Sequence, residues 1–72
     1  MKTLADFVKE KRRYAGITQK ELADKSGVAL TVIRKIEQGK VNLSLEKVNQ
    51  VLRLFGHELA PVNSRDLADS KK

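Results

Sequence analysis

Residues 18–39 contain two short segments with helical periodicity, TQKELADKS and LTVIRKIEQ, on either side of a turn. Gly27 opens that turn, and a glycine after a helical segment favours the positive φ that ends many helices. The second segment has one apolar side and one polar, basic side. The pattern predicts two helices joined by a tight turn, with the second helix keeping one face free.

The remaining glycines are also expected to end helices, because Gly16, Gly39 and Gly56 each follow a segment of helical periodicity. The chain is thereby divided into four helix-sized segments with no internal repeat. Seventy-two residues suffice for one small domain. We therefore expect an all-α domain of four main helices, and we expect the third to run over about residues 30–38.

Polar residues stand where three of these helices should begin. Thr18 and Glu21 have the spacing of a capping box, in which each side chain bonds the backbone N–H of the other. Thr3 and Ser44 are predicted N-caps of the first and fourth helices. The apolar residues predicted to face the core are Leu4, Phe7, Val8, Ala15, Leu22, Ala23, Val32, Ile33, Ile36, Leu45, Val48, Leu52 and Phe55.

The pattern changes after Gly56. A short, half-polar segment with a proline follows, and we predict a strand over about residues 57–61: His57, Glu58, Leu59, Ala60 and Pro61. A single strand cannot satisfy its own backbone, so we expect it to pair with the same strand of a second copy. The domain is expected to span residues 1–62, and residues 63–72 are expected to form a flexible tail.

The charge balance favours a polyanionic partner. Fifteen Lys and Arg residues against nine Asp and Glu residues give a formal net charge of +6. Nucleic acid, an anionic membrane or an acidic protein would each be attracted. No apolar run approaches the roughly 20 residues of a membrane span and no signal-peptide pattern is present. We expect a cytoplasmic protein that does not bind membranes.

Enzymatic chemistry is not expected. The chain has one histidine, no cysteine and no phosphate-cradling glycine-rich loop, so we expect neither a cofactor nor a metal. Glu21 and Asp24 lie one turn apart on an exposed helix face, where carboxylates are ordinary solvated charges. His57 lacks a second ligand partner and is expected to be exposed or at a dimer interface.

Three motifs occur in order along the chain: G-I-T-Q-K-E-L-A-x-x-S-G-V, I-x-x-I-E-Q-G-K and S-L-E-K-V. Together they resemble the Xre/Cro-type helix-turn-helix family over roughly residues 4–55. The resemblance implies a lambda-repressor-like bundle that binds DNA. The ending L-F-G-H-E-L-A-P-V resembles HipB-type antitoxins, which dimerise through a C-terminal strand. That resemblance implies a kinase-like toxin as a possible partner and repression of the chain's own operon.

The third helix carries the candidates for reading DNA bases, because the major groove admits one α-helix. Its outward residues are Leu30, Thr31, Arg34 and Lys35. Arg34 and Lys35 can donate hydrogen bonds to guanine O6 and N7. Thr31 can bond a base edge, and Leu30 can pack on a thymine methyl group.

Other polar residues are candidates for contacts with the phosphate backbone. The predicted phosphate contacts are Gln19, Lys20, Gln38, Lys40, Asn42 and Ser44. Gln19 matches a family position that reaches a phosphate. In the family the position of Arg12 pairs with the glutamate matching Glu37, so we expect these two residues to link the first and third helices.

The sequence thus predicts a homodimeric, sequence-specific repressor of transcription that binds a near-palindromic, double-stranded operator. Its two recognition helices would lie about 34 Å apart. A stand-alone regulator without a toxin and a protein-binding module of the same fold remain alternatives. Readers of single-stranded RNA usually show aromatic platforms, whereas Phe7, Tyr14 and Phe55 are expected to be packing residues.

Overall fold

The computed structural model describes residues 2–66, in which four α-helices precede three further helical residues at 64–66. They are α1 (Leu4–Tyr14), α2 (Gln19–Ser26), α3 (Leu30–Glu37) and α4 (Leu45–Leu54). The predicted four-helix architecture is confirmed. Within residues 2–66, no helix has the length and apolar character that crossing a membrane requires.

The helix starts are set by side-chain caps. At α2 the Glu21 N–H donates to Thr18 Oγ1 at 3.1 Å, and the Thr18 N–H donates to Glu21 Oε1 at 2.8 Å. Thr3 caps α1 and Ser44 caps α4 by accepting a backbone N–H three residues on. The N-cap of α3 is Ala29, which has no side-chain acceptor to offer. Packing must therefore define the start of α3.

One apolar core joins all four helices. Its buried members are Val8, Leu22, Ala23, Val28, Ile33, Ile36, Val48, Val51 and Leu52. Helix α3 packs on α1 and α2, and α4 packs on α2. Because Ile33 and Ile36 face this core, the opposite side of α3 points away from the protein.

Three residues that were expected in the core are exposed, and one residue that was not expected there is buried. Ala15 is exposed because it is the C-cap of α1, beyond the last turn that packs. Tyr14 is 94% exposed and Leu45 is 72% exposed, so their prediction as packing residues is wrong. Val51 is fully buried, and the packing stripe of α4 runs from Val48 through Val51 towards the C-terminal end of the helix, leaving Leu45 at its edge.

The C-terminal segment differs from the prediction. His57, Glu58, Leu59, Ala60 and Pro61 form no strand within residues 2–66. A strand needs a second backbone, and the described single chain supplies none beside these residues. The Leu59 N–H instead donates to Asn49 Oδ1 of α4 at 2.7 Å. Residues 64–66 are helical, and the rest of the predicted tail, residues 67–72, lies outside the described residues.

The turn between α2 and α3 is held from α4. Gly27 has φ +80° and ends α2 in the left-handed conformation. Gln50 Nε2 donates to the Ser26 carbonyl at 2.8 Å, and it would lie 3.0 Å from a Cβ atom added to Gly27. Gly16 has a similar φ of +72°, but an added Cβ would meet nothing within 4 Å.

The two glycines offer a matched comparison. Gly16→Ala should destabilise the fold by about 1–2 kcal/mol, the cost of the left-handed conformation for an L-residue. Gly27→Ala should cost that amount plus about 0.5–1.5 kcal/mol, because the new methyl group displaces the Gln50 amide from its hydrogen bond. Urea unfolding followed by circular dichroism measures both changes. Equal losses would show that the Gln50 contact adds nothing to stability.

Candidate nucleic-acid interface

The free face of α3 presents three polar side chains together. Thr31, Arg34 and Lys35 are exposed, and their i, i+3 and i+4 spacing places them side by side. They lie opposite the buried Ile33 and Ile36. The packing of α3 therefore fixes its apolar side inward and leaves a short polar, basic surface available to a ligand.

Leu30 lies at the border of this surface. Its side chain is half-buried and packs against the core cluster. It begins α3 directly after the uncapped Ala29. Leu30 thus anchors the first turn of α3, and part of its side chain stays accessible beside Thr31.

The two cations on α3 have no ion-pair partner in the part of the chain that the structure describes. Within residues 2–66, Arg34 and Lys35 form no salt bridge. Lys20 on α2, in contrast, pairs with Asp24 at 3.4 Å, and both side chains are exposed. An exposed pair of this kind contributes about 0–1 kcal/mol and is readily given up to another anion.

A buried ionic network lies beneath the free face. Glu37, at the end of α3, has a side chain only 3% exposed. Arg12 Nε donates to Glu37 Oε2 at 2.8 Å and Arg12 Nη2 donates to Oε1 at 3.1 Å. Arg12 Nη1 donates to the Ile17 carbonyl at 3.0 Å. The predicted link between the first and third helices is confirmed as a bidentate ion pair.

Gln19 joins the same network from α2. Its Nε2 donates to Glu37 Oε1 at 3.1 Å, a contact that the sequence did not predict. A glutamine amide has two N–H donors, so one remains for an outside acceptor. The bond to Glu37 fixes the direction of that second donor at the N-terminal end of α2.

The network controls the ionisation of Glu37. Burial alone would raise the pKa of Glu37, but hydrogen bonds from Arg12 and Gln19 and the charge of Arg12 outweigh it, so the pKa lies below its ordinary value. The hydrogen bond to Glu37 is the main reason that the pKa of Arg12 is raised. Both groups are therefore charged at neutral pH.

The segment after α3 brings further polar residues to the surface. Gln38 is the C-cap of α3, and Ser44 is the N-cap of α4. Lys40 and Asn42 lie between them, and all four residues are exposed. The structure thus collects these predicted phosphate contacts in one surface loop and its two flanking caps.

His57 has a local role. Its Nδ1 lies 2.8 Å from the Phe55 carbonyl, and its ring contacts the Phe7 ring edge-on with centroids 4.8 Å apart. Residues 2–66 contain no cluster of three or more side chains that could hold a metal ion. His57 packs the C-terminal segment onto α1.

The helix-turn-helix geometry agrees with two comparisons. A family model described as helix-turn-helix matches residues 8–60. The chain belongs to the Xre/Cro-like helix-turn-helix family. This helix-turn-helix chain is also 36% identical over 58 residues to an "uncharacterized HTH-type transcriptional regulator" of Methanothermobacter thermautotrophicus, covering 81% of this chain and 80% of the relative. No solved structure matches it.

The family is a DNA-binding, non-enzymatic type of domain. Membership and the regulator relative together support a DNA-binding regulator. The matched region includes α2, the turn and α3 in full, so the family assignment rests on the same residues that form the free face described above.

The buried network gives a stability prediction. Glu37→Gln should lower the free energy of unfolding at pH 7 by about 1.5–3 kcal/mol, because hydrogen bonds to a charged acceptor are weakened and Arg12 loses its counter-ion. Asp24→Asn, which breaks the exposed pair with Lys20, should change it by less than about 1 kcal/mol. Chemical denaturation of both variants checks this. Similar losses would contradict a special role for the buried pair.

The pH dependence of the Glu37→Gln effect follows from the lowered pKa. A carboxylate with a depressed native pKa contributes its full stabilisation above its unfolded pKa of about 4.3. That contribution disappears as the pH falls through the native pKa. The stability difference between the wild type and Glu37→Gln should therefore be constant near neutrality and shrink below about pH 4.

Proposed function

We propose that this helix-turn-helix protein is a homodimeric repressor of transcription that binds a near-palindromic operator in double-stranded DNA. The observation that carries the proposal is the free face of α3, where Thr31, Arg34 and Lys35 are exposed together and the two cations lack a counter-ion within residues 2–66. A helix of this width fits the major groove, where each base pair presents a distinct pattern of donors and acceptors.

Each residue of the free face has a chemical role in this proposal. Arg34 donates two hydrogen bonds to guanine O6 and N7, and Lys35 donates to a neighbouring base or phosphate. Thr31 bonds a base edge through its hydroxyl group. The accessible edge of Leu30 packs on a thymine methyl group, while its buried part keeps α3 in place.

The phosphate contacts position this helix without specifying sequence. The proposed contacts are Gln19, Lys20, Gln38, Lys40, Asn42 and Ser44. Gln19 supports this role best, because its amide is already oriented by Glu37 and retains a free donor. Lys20 would exchange its weak pairing with Asp24 for a phosphate oxygen.

Dimerisation is proposed to use residues 57–61. In an extended segment successive N–H groups point to opposite sides. The Leu59 N–H is used within its own chain, at Asn49, which leaves the N–H groups of Glu58 and Ala60 as the candidates for pairing with a second copy. Within residues 2–66 neither of these two groups donates a backbone or side-chain hydrogen bond. A second copy would pair with them in an antiparallel ribbon.

Apolar surface beside the ribbon supports the same partner. A groove of about 460 Å³ lies between the start of α1, the loop after α3 and the start of α4. Val41, Leu45 and Leu59 line it and remain exposed. A standard interface covers about 800 Å² on each partner, so the ribbon and this groove would both be needed.

The proposal includes an antitoxin role, in which the dimer represses its own operon and also holds a kinase-like toxin. It is supported by the resemblance of the C-terminal segment to HipB-type antitoxins. The alternative is a stand-alone regulator with the same DNA surface, or a protein-binding module of this fold. A kinase-like gene in the same operon, whose product co-purifies with this chain, would favour the antitoxin. A regulator in the cytoplasm would suit both forms.

The base-reading role of Arg34 is testable by substitution. Arg34→Ala should weaken binding to an operator selected from random duplex DNA by about 1–3 kcal/mol and relax preference at one base position. Arg53→Ala is the matched control, since Arg53 is an exposed arginine in the last turn of α4, at the opposite end from Ser44. Equilibrium binding and selection with each variant give both quantities. A loss that is equal for operator and random DNA would make Arg34 a phosphate contact.

The ribbon is testable through its backbone donors. Ala60→Pro removes one N–H available for pairing and should shift the dimer towards monomer, raising its dissociation constant about fivefold or more for the loss of two symmetry-related hydrogen bonds. Ala60→Ser keeps the N–H and should leave the dimer intact. Sedimentation equilibrium measures both. A proline variant that remains as dimeric as the serine variant would exclude the ribbon.

A further inference from the structure

Two neighbouring residues of α4 hold two separate parts of the chain. Gln50 Nε2 donates to the Ser26 carbonyl at 2.8 Å, at the turn that precedes α3. Asn49 Oδ1 accepts the Leu59 N–H at 2.7 Å, in the segment proposed to dimerise. Both side chains are half-buried. A single turn of α4 therefore contacts both the end of α2, at the turn that leads into α3, and the C-terminal segment.

Gln50 hydrogen-bonds the turn between α2 and α3, where few other polar groups are available to hold the backbone. The Ser26 carbonyl is one of the last of α2 and has no partner within its own helix. Gly27 lacks a Cβ, so the Gln50 amide can approach the turn closely. Three residues after Ser26, Ala29 is the N-cap of α3 and has no side chain that can cap the helix. Within residues 2–66, no side chain of α4 other than Gln50 hydrogen-bonds to this turn.

The Arg12–Glu37 pair does not replace this contact. It joins α3 to α1 and, through Gln19, to α2, but it does not reach α4. Apolar packing between α2 and α4 is not directional. The hydrogen bond from Gln50 is therefore the contact that sets where the turn between α2 and α3 lies against α4. Hydrogen bonds are directional, so this bond can fix the turn along the axis of α4.

We propose that Gln50 is a positioning residue that fixes the distance between the recognition helix and the dimerisation segment, and thereby the operator spacing that the dimer accepts. The inference rests on the proposed function. Adding one base pair between two half-sites moves them by about 3.4 Å along the duplex and rotates one against the other by roughly a tenth of a turn. A dimer with fixed helix positions rejects that change, whereas a loosened turn tolerates it.

The test compares operators of different spacing. The operator is first selected from random duplex DNA by the wild type, and versions with one base pair added to or removed from its centre are then made. The quantity measured is spacing discrimination, the ratio of the dissociation constants for the altered and original operators. Gln50→Met keeps the side-chain length but removes the donor. It should lower spacing discrimination about fivefold or more, as expected for the loss of one hydrogen bond in each of the two subunits.

Two further variants separate positioning from stability. Gln50→Lys restores a donor and should recover most of the spacing discrimination. Its added charge strengthens binding to all DNA alike and cancels in the ratio. Val51→Ala opens the core next to Gln50 and lowers stability, yet it keeps the Ser26 contact. It should leave spacing discrimination unchanged at a temperature where it is folded.

The outcomes distinguish this inference from the proposed function. Wild-type discrimination in Gln50→Met, or an equal loss in Val51→Ala, would overturn the role of Gln50 and leave the repressor proposal intact. Failure of Gln50→Lys to recover discrimination would show that the donor is not the relevant property. A wild type that selects no operator from random DNA would overturn the repressor proposal and this inference together.

Discussion

The arrangement of the first three helices depends on the buried ion pair between Glu37 and Arg12, to which Gln19 adds a hydrogen bond. Glu37 is the one charged residue buried within residues 2–66, and removing a charge from water is costly unless it is paired. Arg12 of α1 and Gln19 of α2 supply that pairing. Because a carboxylate accepts along defined directions, the pair specifies how α3 lies across its neighbours, which apolar packing alone would leave less well defined.

Helix α3 therefore carries both a buried, paired charge and exposed, unpaired charges within the described residues. At its end, the charged Glu37 is paired with Arg12 inside the protein, whereas Arg34 and Lys35 on its outer face have no counter-ion in the described part of the chain. The inner pair holds the helix in place, and the outer cations are left for a ligand. An anion that binds Arg34 and Lys35 need not disturb Glu37, because the exposed cations and the buried carboxylate are separate groups of this eight-residue helix.

Features that depend on residues close together in the sequence were predicted well. Contacts between residues far apart in the sequence were mostly not predicted. The capping residues, the turn at Gly27 and the amphipathic α3 follow from neighbours within four positions. Leu45 was wrongly placed in the core and Val51 was missed, because a helical stripe shows the period but not where the packing partner ends. The contacts of Asn49 and Gln50 join residues 10 and 24 positions apart, and no local pattern marks them. The predicted strand needs a second backbone before any hydrogen bond between strands can form.

Tyr14 has a practical consequence for anyone who measures this protein. It is the single tyrosine of a chain without tryptophan, and its ring is 94% exposed at the end of α1. Unfolding would barely change the water around that ring, so its fluorescence is a poor reporter of the core. For the same reason the emission would report a molecule that docks on the surface that Tyr14 shares with Lys2, Phe7, Glu10 and Lys11. The native chain thus carries an intrinsic optical probe of binding that is nearly silent to folding.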